Sequence, residues 1–369
     1  MQYITWEWRL RRYKEMKVDI TKYKAIDFFC GGGGMTCGLR QAGINVIAGV
    51  DFDRDAKETY EYNNPGTVFI QTNIKDLRND YFEQSFNLQK NDDKMIFVGC
   101  SPCQFYSIIH SDKEKSFHSK DLLMDFARFV DYYNPGYVLV ENVPGILTHK
   151  DSILPVFLEK LKEVGYDNII YKVVDMSYYG IPQSRRRFSL IATRLKNANI
   201  HLPIPEKKSM VLREVIGQKN GFPKIKAGNK DKSGFNHSVA GLSNKGLQRM
   251  IKTRHDGGSR LDWANDGELQ LRCFVGKDNS FKDTYGRMWW NKPSPTITTK
   301  FFSISNGRFG HPEEDRAISL REGATIQTFP KNYIFKTGSI AATAKLIGNA
   351  VPPEYARRLG EILINSRKK

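Results

Sequence analysis

The chain has 369 residues and a formal net charge of +17, with 57 Lys and Arg against 40 Asp and Glu. This length allows two lobes with hydrophobic cores, and the positive charge favours a polyanionic partner such as nucleic acid. No apolar run is long enough to cross a bilayer, and the N-terminus, with Trp6-Glu7-Trp8-Arg9, lacks a signal-peptide pattern. We therefore exclude a membrane protein and expect a cytoplasmic one.

The first half of the chain alternates strand-like and helix-like segments, which is the pattern of an α/β protein with a parallel sheet and crossover helices. Apolar runs predict the strands, and amphipathic spacing predicts the helices between them. The predicted strands are 24–29, 45–50, 95–99, a strand that ends at 140, 169–175 and 188–192, and the helices include 35–42 and 122–130.

The composition changes after about Thr193. Proline, glycine and lysine become frequent and helical periodicity fades, which indicates a second, irregular lobe that continues to about Ile318. Amphipathic helices are predicted again at 320–327 and 353–364.

Cys103 follows the predicted buried strand 95–99 directly, at the edge where open α/β sheets carry out chemistry. Free cysteine more often packs as a small hydrophobe, and the C-x-x-C pair of Cys100 and Cys103 also permits a thioredoxin-like redox site. No other Cys or His lies at a zinc-site spacing. The five cysteines, an odd number at spacings unlike a secreted disulfide framework, indicate a reducing compartment.

A second group of residues suggests a nucleoside pocket. Glycines at 31–34 follow the first strand and allow close approach to a ligand, and Asp51 at the end of the second strand can accept ribose hydroxyls. Phe52 can stack on an adenine or fill the core, and Asn73 and Ile74 can meet the adenine amine and face. The pyrophosphate fingerprint G-x-G-x-x-G is not matched, so the pattern favours an adenosine without pyrophosphate, such as S-adenosylmethionine.

Six blocks of sequence, in order between about residues 24 and 364, resemble the cytosine carbon-5 DNA methyltransferases. They lie at 27–34, 99–104, 141–143, 179–187, 321–330 and 348–353. The resemblance implies an α/β, Rossmann-like S-adenosylmethionine-dependent methyltransferase fold with a smaller irregular target-recognition domain. The implied division is a catalytic and cofactor-binding domain at 1–195, completed by 318–369, and a target-recognition domain at 196–317.

The resemblance also implies the catalytic residues. Carbon 5 of cytosine is a poor nucleophile, so the family first attacks carbon 6 with a thiolate, here Cys103. Glu141 would protonate the ring nitrogen and hold the amino group. In the family pattern Gln-x-Arg-x-Arg, which begins at Gln183, Arg185 and Arg187 would hold the ring carbonyl, because a guanidinium keeps its proton.

Cofactor contacts carry over from the same blocks. Some of the expected cofactor residues lie near the end of the sequence, which implies that the C-terminal helix packs back onto the first lobe. The expected cofactor residues are Phe29, Gly31, Gly33, Asp51, Phe52, Asn73, Ile74, Asn349 and Ala350.

The target base must leave the duplex to be methylated, and 110–119 resembles the family's closing loop. Gln104, Ser107, Arg287 and Thr296 are expected DNA contacts, since arginine can read guanine in the major groove and Thr296 could brace the emptied strand.

The expected partner is double-stranded DNA, and the expected enzyme is a monomer without membrane contact. Any cognate restriction endonuclease is expected to act independently. Three alternatives remain at this stage: a transfer-RNA cytosine methyltransferase, whose Cys-Phe-Thr signature is half matched at Cys273-Phe274-Val275, a catalytically inactive DNA-binding relative, and a redox enzyme.

Overall fold

A computed structural model describes residues 23–102, 104–106 and 121–367, with only the backbone of Gln104. Cys103, Ser107, the expected closing loop 110–119 and the side chain of Gln104 therefore lie outside the described residues. Within the described part, no helix combines the length and apolarity that a bilayer crossing requires.

Seven strands form one sheet in the order β3-β2-β1-β4-β5-β7-β6. Every strand predicted from the sequence is present. The strands are β1 Lys24–Phe28, β2 Asn45–Asp51, β3 Val68–Gln71, β4 Met95–Gly99, β5 Tyr137–Asn142, β6 Asn168–Asp175 and β7 Arg186–Thr193.

The strands of the first half, β1 to β5, pair in parallel as predicted, whereas β7, whose direction the sequence does not predict, runs antiparallel to both β5 and β6. The physical reason is the connection between β6 and β7, which spans residues 176–185 and contains only the short turn Met176–Tyr178. A parallel pairing would need a crossover of a dozen or more residues, usually with a helix.

Helices cover both faces of the sheet at its centre. The central strands β4 and β5 are therefore buried along their whole length. Neighbouring side chains on a strand enter opposite layers. The helices of this part are α1 Gly34–Gln41, α2 Arg54–Asn63, α3 Tyr81–Phe86, α4 Leu122–Tyr133, α5 Gly145–Thr148 and α6 Leu154–Glu163. Phe97 belongs to the core layer of Phe126 on α4, whereas Ile96 and Val98 belong to the layer of α1 and of the C-terminal helix Pro353–Asn365.

The rest of the described chain contains α7 Asn244–Lys252, α8 Leu320–Ile326, α9 Ile340–Asn349 and α10 Pro353–Asn365, with short helical turns between them. The C-terminal helix packs back onto the first lobe, as predicted. A Cβ at Gly38 of α1 would collide with the carbonyl oxygen of Pro353, and one at Gly360 would lie 2.7 Å from the Cβ of Ala42.

Buried arginines support the irregular stretch between β7 and α8. Arg287 is fully buried, and its guanidinium donates to the carbonyl oxygens of Thr253 (2.8 Å), His311 (3.1 Å), Glu314 (2.7 Å) and Met250 (2.6 Å), and to the carboxylate of Asp315. These bonds take the place of the regular backbone ladders that this stretch lacks.

The DNA contact predicted at Arg287 is therefore wrong. All three guanidinium nitrogens are engaged inside the protein, so none remains to read a base edge. Sequence alone shows the charge of an arginine and not the depth at which the charge is placed.

Arg287→Met should lower the free energy of unfolding by about 3–5 kcal/mol, because removal of a buried charged donor leaves its acceptors unsatisfied. Urea denaturation of the variant measures the change. Arg254→Met is the matched control, since Arg254 is exposed and its loss should change the value by no more than about 0.5 kcal/mol. Equal shifts in the two variants would contradict the structural role of Arg287.

Candidate active site

The turn between β1 and α1 borders an open space and is held from behind by the C-terminal segment. Phe29, Gly31 and Gly33 all have positive φ angles, 62°, 47° and 83°. A Cβ at Gly33 would lie 2.5 Å from the hydroxyl oxygen of Tyr333, whereas one at Gly31 would meet nothing closer than the Asp51 carboxylate at 4.0 Å. Packing therefore requires glycine at 33, and the backbone at 31 remains accessible to a ligand.

Asp51 is the carboxylate next to this turn. It ends β2, and its two oxygens accept the backbone N–H groups of Gly31 and Asp53, each at 2.8 Å. Burial raises the pKa of Asp51, and these two bonds partly offset the increase. The structure thus fixes both carboxylate oxygens at the edge of the glycine turn, where they retain lone pairs for hydroxyl donors.

The neighbouring predicted cofactor residues differ in accessibility. Phe52 is 64% exposed, which makes its ring available for stacking. Asn73 accepts the backbone N–H of Lys75 at 3.1 Å and so caps the turn after β3. Ile74 is 3% exposed and packs in the main core, so it can offer an adenine little surface.

The end of α9 reaches the same turn. Lys345 Nζ lies 2.8 Å from Asp53 Oδ2, and the Cβ of Ala350 would lie 3.0 Å from a Cβ built at Gly34. Asn349 is exposed beside Ala350. The structure therefore brings the C-terminal residues of the predicted cofactor set to the residues from β1 and β2.

Glu141 lies on β5, close to this edge, and is buried. Glu141 pairs with Ser189 of the antiparallel β7, so Arg187, two residues from Ser189, lies on the same face. Arg187 Nε is 3.2 Å from Glu141 Oε1, but the geometry is that of a charge contact, and within the described residues this oxygen has no hydrogen-bond partner.

Burial raises the pKa of Glu141, and the guanidinium groups of Arg187 and Arg185 partly offset the increase. A carboxyl with a raised pKa holds a proton at higher pH than an exposed one. Glu141 is therefore suited to donate a proton to a bound ring.

Arg185 does not share the arrangement of Arg187. Its guanidinium is buried and donates to the backbone carbonyls of Ile297 (3.2 Å), Gly348 (3.4 and 3.3 Å) and Ala350 (3.2 Å). These contacts fix the guanidinium between the segment at Ile297 and the end of α9 at 348–350, and the contact of Arg185 with the substrate carbonyl stays a prediction.

The polypeptide that leads to Cys103 is tied to the strand of Glu141. Asn142 Nδ2 donates to the backbone carbonyl of Ser101 at 3.2 Å and lies 3.3 Å from its hydroxyl oxygen. Burial, together with the nearby carboxylates of Glu141 and Asp27, raises the pKa of Cys100 well above its usual value. A thiol that resists ionisation is a poor nucleophile, so this pKa direction disfavours Cys100 as the attacking thiol of the C-x-x-C alternative.

The remaining predicted DNA contact with a described side chain is Thr296. It is half-buried, and its hydroxyl donates to the carbonyl oxygen of Ser184 at 2.7 Å. The sequence reasoning missed Gln327, which is fully buried in this region. Its position inside the block 321–330 was the available signal, but no local pattern indicates what it contacts.

Comparison with known proteins identifies the family of the chain. The family described as C-5 cytosine-specific DNA methylase matches residues 23–365. Type II methylase M.HgiDII of Herpetosiphon aurantiacus is 36% identical over 351 residues, which cover 93% of this chain and 94% of that protein. Type II methyltransferase M.DdeI of Desulfomicrobium norvegicum is 30% identical over 91% of this chain and 87% of its own.

Solved structures share the fold at low identity. A putative DNA modification methyltransferase encoded within an E. coli prophage has a TM-score of 0.73 and 22% identity, covering 94% of this chain and 100% of that one. The Dnmt2 methyltransferase of S. pombe has a TM-score of 0.62 and 16% identity, covering 94% and 99%.

The chain therefore belongs to the C-5 cytosine-specific DNA methylase family. It is a DNA cytosine-5 methyltransferase with a Rossmann-like α/β sheet, and its named relatives are type II methylases. The predicted family, fold class and enzyme class are confirmed, and membership of the family implies the use of S-adenosylmethionine.

A buried acid behind the glycine turn gives a pH-dependent prediction. Burial raises the pKa of Asp27 from 3.8 to about 7, although Thr36 Oγ1 donates to its Oδ2 at 2.6 Å. The folded state therefore retains a proton that the unfolded chain releases near pH 4, and stability should fall as the pH rises from about 4 through 7.

Asp27→Asn should remove this part of the pH dependence, so the variant should lose less stability than the wild type between about pH 5 and 8. Thermal unfolding across this range is the measurement. Asp76→Asn, at an exposed carboxyl, is the control and should keep the wild-type slope. A slope at Asp27→Asn as steep as that of the wild type would show that Asp27 does not cause the dependence.

Proposed function

We propose that the enzyme transfers a methyl group from S-adenosylmethionine to carbon 5 of a flipped-out cytosine in a specific duplex DNA sequence through a covalent Cys103 adduct. The observation that carries the proposal is the buried Glu141, whose Oε1 lies 3.2 Å from Arg187 and accepts no hydrogen bond from the described residues. A buried acid with an available oxygen is what protonation of a bound cytosine requires.

The residues present fit the cofactor. The backbone at Gly31 borders open space, Asp51 presents two fixed oxygens, and the exposed ring of Phe52 lies beside it. We assign the ribose hydroxyls to Asp51 and the adenine to Phe52 and Asn73, with Asn349 completing the pocket. S-adenosylmethionine supplies the methyl group as an activated sulfonium.

Cys103 is the proposed nucleophile. Its thiolate forms a bond to carbon 6 of cytosine, and the ring nitrogen takes a proton from Glu141, which places electron density on carbon 5. Carbon 5 then bonds to the methyl carbon while the methyl–sulfonium bond breaks, and S-adenosylhomocysteine is the leaving group. Loss of the carbon 5 proton to water and cleavage of the sulfur–carbon bond release the product and the thiolate, and Glu141 recovers its proton.

Arg187 has two proposed tasks in this cycle. Its fixed positive charge holds the ring carbonyl, and its contact with Glu141 orients the carboxyl group. Arg185 supports this site through its bonds to the backbone.

DNA is the proposed substrate polymer, and the irregular stretch 196–317 is the proposed target-recognition region. A net charge of +17 provides the electrostatic attraction that a polyanion requires. Gln104, Ser107 and Thr296 remain proposed DNA contacts, with Thr296 next to the loop that carries Arg185. Enzymatic access to carbon 5 requires the base to be flipped out of the duplex.

The setting of the reaction is also part of the proposal. We infer that the enzyme acts as a monomer in the cytoplasm of a bacterial or viral host cell, and that any cognate restriction endonuclease acts independently. The bacterial type II relatives support this setting.

Methyl transfer from labelled S-adenosylmethionine to random-sequence duplex DNA tests the function, and bisulfite sequencing of the product gives the recognised site. Cys103→Ser should abolish incorporation and the covalent complex with 5-fluorocytosine DNA. Glu141→Gln should lower kcat by about 10²–10⁴, the usual contribution of a general acid.

Cys273→Ser is the matched control, because this thiol is exposed in the second lobe and should leave the rate unchanged. Transfer RNA forms a parallel arm in which no incorporation is expected. Faster methylation of transfer RNA than of DNA, or full activity of Cys103→Ser, would refute the proposal.

A further inference from the structure

A cluster of three buried polar side chains, Gln183, Arg185 and Gln327, lies beside the proposed active site. We call this cluster the glutamine–arginine clasp. It joins three segments that are remote in sequence: the loop before β7, the segment 294–298 of the second lobe, and the end of α9 at 347–350.

Gln327 is the centre of the clasp. Its Oε1 accepts from Gln183 Nε2 at 2.8 Å, and its Nε2 donates to the carbonyl oxygens of Ile347 at 2.7 Å and Ala350 at 3.4 Å. Gln183 in turn accepts the backbone N–H of Ile297 at 2.7 Å. Both polar ends of each amide are thus engaged in fixed directions.

Arg185 closes the clasp from the other side. It donates both to Ile297 in the second lobe and to Gly348 and Ala350 at the end of α9. One side chain therefore holds the backbone of the proposed target side and that of the proposed cofactor side together.

The two backbones are also in direct contact. A Cβ at Gly348 would lie 2.5 Å from the carbonyl oxygen of Thr298, so the segment 294–298 and the end of α9 approach as closely as glycine allows. The loop 182–184 adds two backbone bonds to the same segment, in which Ser294 N donates to Pro182 and Ser184 N donates to Ser294, each at 2.8 Å.

We propose that Gln327 and Arg185 are positioning residues that make 294–298 and the cofactor-side end of α9 one rigid unit. Ordering of Asn349 and Ala350 by the cofactor then orders 294–298, the segment that carries Thr296 towards the target strand. The inference rests on the proposed function, since it takes Asn349 and Ala350 as cofactor contacts. A displacement at 348–350 must move 297–298, because buried hydrogen bonds and a backbone contact join the two.

Hydrogen–deuterium exchange on the full chain tests the coupling without DNA, with S-adenosylhomocysteine as the probe. In the wild type, a saturating probe should slow exchange of the Ile297 amide region, 294–300, at least tenfold. Gln327→Met keeps the side-chain volume but removes the amide, and should reduce this protection to less than twofold at saturation. If Gln327 were only structural, its replacement would change the exchange rate at 294–300 equally in the free and the probe-bound protein. The slowing of exchange by the probe would then remain.

Thr193→Val is the matched control. It also removes side-chain hydrogen bonds to backbone, since Thr193 Oγ1 donates to the carbonyl oxygen of Gly136 at 2.7 Å and accepts from the N–H of Leu195 at 3.2 Å. It lies away from the clasp and should keep the tenfold protection. Arg185→Lys retains a donor and should give intermediate protection, and it provides the same test where Gln327→Met does not fold.

Wild-type protection that persists in Gln327→Met and Arg185→Lys, or absence of protection at 294–300 in the wild type, would overturn the inference. Calorimetry of the probe separates this failure from that of the proposed function. If the probe binds and 294–300 does not respond, the clasp is refuted alone. If no heat of binding is seen, the proposed cofactor site falls, and the inference with it.

Discussion

The close approach of the C-terminal segment to the first glycine turn is the constraint on which the rest of the structure depends. Tyr333 donates its hydroxyl to the carbonyl oxygen of Gly32 at 2.6 Å, and a Cβ at Gly34 would collide with the carbonyl oxygen of Val351. The glycine turn depends on these contacts for its shape, because Tyr333 and Val351 of the C-terminal segment pack directly against it. Residues from the first glycine turn and from the C-terminal segment therefore build the proposed cofactor pocket together.

A second constraint comes from the backbone of the irregular stretch between β7 and α8. A stretch with few ladders must still satisfy its buried carbonyl groups. The structure meets this need with arginine: Arg260 donates to Phe281 and Ser280, and Arg308 donates to Gly257, Gly258 and Arg287. Part of the large positive charge is thus structural, and the total charge overstates what is available to DNA.

The difference between local and long-range contacts decides what the sequence could predict. Apolar runs predicted β1, β4 and β7, because a buried strand consists of consecutive apolar residues. The six blocks indicated the chemistry. The predicted DNA contact of Arg287 failed because the partners of its guanidinium are mainly backbone atoms up to 37 residues away, which no local pattern encodes. The antiparallel β7 was missed because its direction depends on the length of a connection that carries no apolar signal.

The spacing Gln-x-Arg-x-Arg has a physical basis in this geometry. In extended backbone, residues two apart face the same side, and Gln183, Arg185 and Arg187 are less exposed than Ser184 and Arg186 between them. The first two hold the second lobe and the end of α9, while the third reaches Glu141. The segment 183–187, which leads into β7, therefore sets the distances between the proposed catalytic acid, the proposed cofactor edge and the proposed target segment. A shift of one residue would turn all three side chains away together.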